Sequence, residues 1–177
     1  MPRCRLICLL ALGLLTALPA AAVTRRNPPP KQPSSNVQQL GKFQSWTAVT
    51  RQESGETICY VFSHPEASAP AIAGRGRPAL TVTERSSGRD TVAFSAGFTF
   101  PEEAEPSLQV EQTAHPFYTV GHDAFARDGA ATTQALRKGR LAVMRSPGPE
   151  GAQVVDTFGL RGFEQAYAAI QKACPPP

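Results

Sequence analysis

The fold of this protein is decided by one stretch of its sequence, Thr57-Ile58-Cys59-Tyr60-Val61-Phe62. Apolar side chains follow one another there without the polar positions that a half-exposed strand would have. Such a run is typical of a central β-strand that is packed on both faces. We therefore expect a β-sheet whose other strands lie on either side of residues 57–62.

Alternating segments on both sides of this stretch predict the neighbouring strands. The run from Ala79 to Glu84 alternates apolar residues with threonines, and the run from Thr91 to Phe100 alternates in the same way. The turn-forming residues at 86–90 separate the two runs, so together they predict a β-hairpin. Further strands are predicted at residues 43–50, 108–111, 116–120, 123–125, 140–145 and 153–160.

Helical patterns occur at only two places. Asp128 is a favourable N-cap for a helix over Gly129 to Lys138, and Gly139 is a favourable stop. The second helix is predicted over Gly162 to Ala173, where apolar side chains recur on one face. Many short strands with turn signals between them, closed by two short helices, predict a mainly β fold of the sandwich type.

The first 22 residues have the three parts of a cleavable secretory signal. Arg3 and Arg5 give a positive charge, a leucine-rich apolar run follows, and Ala20-Ala21-Ala22 offers small residues for cleavage. A membrane anchor is the alternative, but the apolar run is shorter than the roughly 20 residues that a spanning helix needs. We expect an exported protein, periplasmic or secreted, with no stable membrane span after cleavage.

The composition also sets the domain boundaries. Residues 23–39 are rich in proline and polar residues, so they predict a disordered spacer, either a plain tether or a polyproline ligand. We place the folded domain at residues 40–174 and a short proline tail at 175–177.

Removal of the signal changes the charge of the protein. The whole chain has 18 Lys and Arg against 14 Asp and Glu, a formal net charge of +4. Loss of Arg3 and Arg5 lowers the net charge to +2, and the remaining sequence has no concentrated run of basic residues. A nucleic-acid partner is therefore not expected.

Removal of the signal would also leave two of the four cysteines, Cys59 and Cys174. An even pair in an oxidising compartment usually forms a disulfide, which here would pin the terminal helix to the central strand. Closing a loop of this length is worth about 4 to 5 kcal/mol in the chain-entropy treatment. Two free thiols are the alternative, and a redox pair is disfavoured because no Cys-x-x-Cys occurs.

Four stretches of the chain share a pattern with a known family. They are Phe43-Gln44-Ser45-Trp46, Ile58-Cys59-Tyr60-Val61, Ala96-Gly97-Phe98-Thr99-Phe100-Pro101, and Asp156-Thr157-Phe158-Gly159-Leu160-Arg161-Gly162-Phe163 with a final Cys174. Over roughly Phe43 to Cys174 the chain resembles the invasion-associated locus B family of alphaproteobacterial secreted proteins. The resemblance implies an immunoglobulin-like β-sandwich, export to the periplasm or surface, and in some members a link to host-cell invasion. It implies no catalytic residues.

Two places depart from the family pattern. Gly159 stands where the family usually has serine, and Pro147-Gly148-Pro149-Glu150-Gly151 replaces an Arg-Gly-Thr turn. Because these changes affect a turn and one side chain, they bear on ligand contacts more than on the fold.

The three histidines are the candidates for acid–base or metal chemistry. None of His64, His115 and His122 has an HxH or HExxH spacing, so we interpret all three as surface residues. The alternative is an envelope hydrolase or metal-dependent enzyme built on His115, His122 and Asp123. No Gly-x-Ser-x-Gly elbow or phosphate-binding glycine loop is present, so we assign no catalytic residue and no cofactor.

Charged loops are the candidate binding elements. Arg75 and Arg77, in the loop 64–78, are placed to meet an anionic surface such as lipid headgroups, and Glu102 and Glu103 begin an acidic loop. A solvated loop is the simpler interpretation of each. With His64, these four residues form our candidate binding set. We expect a non-enzymatic exported protein that binds an envelope component or a macromolecular partner through these loops, with a role in host invasion as a further possibility.

Overall fold

The computed structural model describes residues 37–176. The predicted signal at 1–22, the predicted spacer up to residue 36 and the last residue of the tail lie outside the described residues. The first strand begins at Val37, so residues 37–39, which we had assigned to the spacer, belong to the sheet.

The described residues form eleven β-strands, two α-helices and one short 3-10 turn. The strands are β1 (Val37–Phe43), β2 (Trp46–Glu53), β3 (Glu56–Ser63), β4 (Ala67–Ala69), β5 (Ala79–Arg85), β6 (Gly88–Ser95), β7 (Ser107–Val110), β8 (Thr113–Val120), β9 (Asp123–Ala126), β10 (Leu141–Pro147) and β11 (Gln153–Gly159). The helices are α1 (Gly129–Lys138) and α2 (Phe163–Ala173), and the 3-10 turn spans Pro149–Gly151.

All eleven strands are antiparallel neighbours in one hydrogen-bonded order, β1-β2-β3-β5-β6-β9-β8-β7-β10-β11-β4. The sheet curls so that its two halves face each other across the core. Phe94 on β6 and Phe158 on β11 meet edge to face with their ring centroids 6.2 Å apart, although these strands are not neighbours. Trp46 on β2 likewise donates from Nε1 to the backbone oxygen of Gly159 (3.0 Å). The predicted mainly β, sandwich-like fold is confirmed.

The predicted central strand is confirmed as β3, which pairs with β2 on one side and β5 on the other. Its two faces are not equally covered. Cys59 and Val61 are fully buried in the core, whereas Tyr60 and Phe62 on the opposite face are only partly buried. The continuous apolar run therefore reflects one buried face and one half-covered aromatic face.

The predicted hairpin is confirmed as β5 and β6, but β6 ends at Ser95 rather than at Phe100. Gly97 explains the early end, because its φ of +77° is a conformation that side chains with a Cβ rarely adopt. A Cβ there would also lie only 2.2 Å from the backbone oxygen of Gly76. The chain leaves the sheet at this contact.

Both predicted helices are confirmed. The side chain of Asp128 caps α1 by accepting a hydrogen bond from the backbone nitrogen of Ala131 (2.9 Å). Helix α2 packs against β1, β2 and β3, and Phe163 meets Trp46 edge to face at 4.7 Å. Within residues 37–176, neither helix has the length and apolar character that crossing a membrane requires.

Candidate functional site

The 64–78 loop, which contains the short strand β4, borders a cavity, and hydrogen bonds hold it onto the sheet. His64 Nδ1 lies 2.7 Å from the backbone oxygen of Pro78, which closes the loop at its two ends. Gly76 donates from its backbone nitrogen to the oxygen of Gly97 (2.8 Å), and β4 within the loop pairs with β11. The loop is therefore an ordered part of the sandwich surface.

Arg75 is the buried centre of this attachment. Its Nη1 and Nη2 donate to the two carboxylate oxygens of Asp156 at 2.9 and 2.7 Å, and its Nε donates to the backbone oxygen of Ala96 at 2.8 Å. Ser68 Oγ donates to the same carboxylate (2.5 Å). The guanidinium also lies 5.2 Å from the ring centroid of Phe98, close enough for a cation–π contact.

This clamp corrects one expectation from the sequence. The side chain of Arg75 is 8% exposed and that of Asp156 is fully buried, so the guanidinium is bound to Asp156 inside an otherwise exposed loop and does not face an anionic surface. A two-pronged, buried Arg–carboxylate pair is geometrically specific, and breaking it leaves an uncompensated charge. We call Arg75, Asp156 and Ser68 the Arg75 clamp.

A cleft of about 560 Å³ opens beside the Arg75 clamp. Its walls come from the 64–78 loop, from the segment after β6 and from the turn between β10 and β11. It is lined by Ala71, Ile72, Ala73, Gly74, Arg75, Gly97, Phe98, Pro149, Glu150, Gly151 and Ala152. Small residues predominate, so backbone groups border the cleft together with the Phe98 ring. A cleft of this size suits a small ligand or a protruding segment of a larger partner.

A second groove at the end of the same loop is basic. It measures about 450 Å³, and its lining includes Lys42, Gln44, Ser45, Thr47, His64 and Arg77. An adjoining cavity of about 550 Å³ shares Lys42 and Gln44 and adds Arg161. We call these two cavities together the basic groove. Of the two arginines predicted to meet an anionic surface, only Arg77 is exposed.

The acidic loop lies beside an aromatic surface. Glu102 and Glu103 are exposed, and Glu103 borders a cavity of about 620 Å³ with Tyr118 and Arg127. Tyr118 is 44% exposed and stacks on Phe125 with centroids 5.7 Å apart. The predicted acidic loop is thus solvent-facing, and the aromatic pair beside it gave no recognisable signal in the sequence.

The histidines are placed in three different environments. His64 lies in the basic groove and His122 is exposed, 3.2 Å from Thr99 through Nδ1. His115 is only 8% exposed, so its interpretation as a surface residue is wrong. Its Nδ1 lies 3.3 Å from Thr132 Oγ1, and its Nε2 has no hydrogen-bond partner among residues 37–176.

Burial of His115 affects its protonation. Removal from water lowers the pKa of the imidazole below its ordinary value, and the carboxylate of Asp128 opposes part of that shift. Thr132 Oγ1 already donates to the backbone oxygen of Asp128 at 2.6 Å, so it accepts from the Nδ1–H of His115. His115 therefore acts as a neutral connector between β8 and α1.

The three residues of the alternative enzyme site do not converge. His115 lies near one end of β8, while His122 and Asp123 lie in and after the turn at the other end. The intervening strand places them about 16 Å apart at roughly 3.3 Å per residue. Asp123 accepts a hydrogen bond from Ser95 Oγ instead (2.5 Å). In the described part of the chain, no three His, Cys, Asp or Glu residues are grouped as a metal ion would require.

A separate cluster surrounds the disulfide. Cys59 and Cys174 are bonded, with their Cα atoms 6.1 Å apart, and Cys59 is directly opposite Glu84 on β5. Glu84 has a fully buried side chain, and its Oε2 lies 2.5 Å from Arg89 Nε. Arg89 also donates to the backbone oxygen of Cys174 (2.9 Å). We call this cluster, with Asp90 and Tyr167, the disulfide corner.

Two pKa values are raised in the disulfide corner. Burial and the nearby carboxylate of Asp90 raise the pKa of Glu84, although Arg89 opposes the shift. Burial also raises the pKa of Tyr167, whose hydroxyl donates to Asp90 Oδ1 at 2.6 Å. Arg89 also donates from Nη2 to Gln171 on α2 (2.7 Å), so the charged groups of the corner are connected to the terminal helix.

A comparison with models of known protein families shows which family the chain belongs to. A model of the invasion associated locus B (IalB) protein family matches residues 46–171, which is most of the described domain. The chain belongs to the invasion associated locus B family. This confirms the resemblance seen in the sequence.

Solved structures place the fold in the same group. The crystal structure of invasion associated protein B from Bartonella henselae matches with a TM-score of 0.56 and 15% sequence identity. The match covers 77% of this chain and 96% of that chain. At this identity the likeness shows the fold alone. No individually curated protein matches the sequence.

Gly159 and the turn between β10 and β11 lie beside the 64–78 loop. A Cβ at Gly159 would come within 2.2 Å of the Glu66 carboxylate, so the glycine makes room for this side chain. The turn between β10 and β11 supplies Pro149, Glu150 and Gly151 to the cleft.

Proposed function

We propose that this protein is an exported, non-enzymatic binding protein that holds an envelope component or a macromolecular partner at the 64–78 loop. The observation that carries the proposal is the cleft beside the Arg75 clamp. It is bordered by small residues and their backbone groups, and a buried ion pair fixes its wall. A wall that is already ordered loses little conformational entropy when a partner binds.

The chemistry of the clamp favours binding over catalysis. Arg75 and Asp156 are the buried charged residues nearest to the cleft, and they bond to each other and to Ser68 rather than facing an open position. A general acid or base must reach the proton that it transfers. Their geometry suits a structural support for a recognition surface.

Export is supported by two features. The sequence begins with the three parts of a secretory signal. The Cys59–Cys174 disulfide is of a kind that persists in oxidising compartments such as the periplasm or the extracellular space. We place the binding activity there.

A matched pair of tryptophan substitutions tests the binding site. Ala73 is exposed and lines the cleft, so Ala73→Trp fills the cleft with a large ring, while Ser87→Trp adds the same ring to the exposed turn of the β5–β6 hairpin. Both variants and the unchanged protein are used to capture partners from envelope extract. We expect Ala73→Trp to lose the captured component and Ser87→Trp to keep it. Equal capture by all three, or capture by none, contradicts the proposal.

The family name motivates a second candidate, a role directed at a host cell. The structural relative is described as an invasion associated protein. A deletion strain with normal envelope integrity but reduced entry into host cells would favour this role. A strain with a leaky envelope and normal entry would favour an envelope ligand.

A further inference from the structure

The basic groove has more positive charge than its surroundings balance. Lys42, Arg77 and Arg161 are exposed, and none of them takes part in the ion pairs formed among residues 37–176. Six of the eight other arginines among residues 37–176 form ion pairs, as Arg75 does with Asp156. The groove therefore contains three cationic side chains that form no ion pair with other residues of the range 37–176.

One exposed acidic residue, Glu66, contacts the lining of the groove. Glu66 accepts a hydrogen bond from Ser45 Oγ at 3.2 Å and packs over Gly159, while Ser45 itself borders the groove. Because the groove has three cationic side chains and, among the described residues, only this one carboxylate, its net charge is positive. Nδ1 of His64 donates a hydrogen bond to the backbone oxygen of Pro78, so the other ring nitrogen of the neutral imidazole is an acceptor. The attraction of an anion to the groove therefore comes from Lys42, Arg77 and Arg161.

The geometry suits an anion with several acceptor oxygens. An ammonium group acts as a compact point charge and a guanidinium as a planar fork, and both are common binders of phosphate. The hydroxyls of Ser45 and Thr47 and the amide of Gln44 add neutral hydrogen-bonding groups along the same wall. A volume of about 450 Å³ exceeds what a bare phosphate ion needs and leaves room for the group that bears it.

We infer that the basic groove binds a phosphate group carried by an envelope molecule, with Lys42 and Arg77 as its main ligands. The inference goes beyond the proposed function, because it concerns a groove separate from the cleft at Ala73. A lipid headgroup and free phosphate both present this chemistry, and the experiment distinguishes them.

The test measures binding of the purified protein to vesicles. One set is phosphatidylcholine with phosphatidic acid, and a matched set carries oleic acid at equal surface charge, so that a carboxylate replaces the phosphate. Inorganic phosphate is titrated in a calorimeter as a separate arm. We expect tighter binding to the phosphatidic acid vesicles than to the oleic acid vesicles.

Two double variants with the same change of charge serve as test and control. Lys42→Ala with Arg77→Ala removes the two ligands, and Lys138→Ala with Arg145→Ala removes two other exposed cations that are also outside the ion pairs of the described residues. We expect the first to weaken binding by about tenfold or more, as the loss of one charge-assisted hydrogen bond would, and the second to leave binding nearly unchanged. Unfolding midpoints of both variants should match that of the unchanged protein.

Each outcome decides the inference. Weaker vesicle binding by the groove variant alone supports the inference. If inorganic phosphate then also gives heat on titration, free phosphate is sufficient for binding. If it gives no heat, the groove requires the lipid headgroup. No binding to phosphatidic acid, equal binding to oleic acid, or equal loss in both double variants overturns it. Ala73→Trp should bind the vesicles normally, so failure of the groove and failure of the cleft are separate results.

Discussion

The disulfide corner and the 64–78 loop use buried charge in different ways. In the disulfide corner Glu84, Arg89, Asp90 and Tyr167 bond to one another and to the end of α2, so the cluster is closed. At the loop, Arg75 is equally committed to Asp156, but its clamp supports a surface with an open cleft and, two residues further on, an exposed Arg77. The difference teaches that the corner serves stability, whereas the loop combines a structural support with a surface for a partner.

Removal of the disulfide should have the largest effect on stability. Replacing Cys59 and Cys174 together by alanine releases a long loop in the unfolded chain and frees the end of α2. We expect the free energy of unfolding to fall by about 4 kcal/mol, measured by chemical denaturation. A fall below about 1 kcal/mol would mean that the rest of the corner holds the helix without the bond.

The two arginines of the loop sharpen the comparison. Arg75→Ala leaves the carboxylate of Asp156 buried without its counter-ion, so it should cost about 3 kcal/mol of unfolding free energy. Arg77→Ala removes an exposed side chain and should change stability by less than about 0.5 kcal/mol. Similar costs for both substitutions, measured in the same denaturant series, would refute the distinction between clamp and surface.

Glu84 gives the disulfide corner a pH dependence of its own. Because its pKa in the folded state is raised above the ordinary value of 4.5, its contribution to stability is full below that value and is lost as the pH rises through the raised one. Because glutamine does not titrate, the Glu84→Gln variant does not lose this contribution to stability as the pH rises. The stability of the variant relative to the unchanged protein should therefore increase as the pH rises above 4.5. Parallel stability curves would show that the carboxyl of Glu84 is not desolvated.

His115 should produce the opposite slope through a smaller effect. Its pKa is lowered by burial, so its contribution to stability is present above the ordinary value of 6.5 and is lost as the pH falls through the lowered one. His115→Asn keeps an N–H for Thr132 but does not titrate. The variant should lose less stability on acidification than the unchanged protein, measured by thermal unfolding across this pH range. An unchanged acid sensitivity would contradict the burial of His115.

Local features of the sequence were sufficient to predict most of the fold. The apolar run of β3, the alternation of β5 and β6, and the cap at Asp128 all act over a few residues, so they are readable without knowledge of the fold. The disulfide was predictable because only two cysteines remained once the signal was set aside. The three-residue strand β4 was missed because its pairing with β11 leaves no periodic pattern in so short a segment.

The candidate site was predicted only in part, because its decisive contacts join distant residues. Arg75 and Asp156 are 81 positions apart, and nothing local distinguishes Arg75 from Arg77 in a glycine-rich loop. Burial of His115 depends on α1 packing over β8, which the residues around His115 do not reveal. The position of Arg77 beside Lys42 depends on the pairing of β1 with β2 and of β2 with β3, which brings the end of β1 close to the start of the 64–78 loop.

The most direct test of the central claim is site-specific photo-crosslinking in intact cells. A photoreactive residue at Ala73 in the cleft is compared with one at Ser87 in the disulfide-proximal hairpin turn, both of which are exposed. We predict a discrete crosslinked product from position 73 that is absent from position 87. Equal products from both positions, or none from position 73, would contradict a binding role for the 64–78 loop.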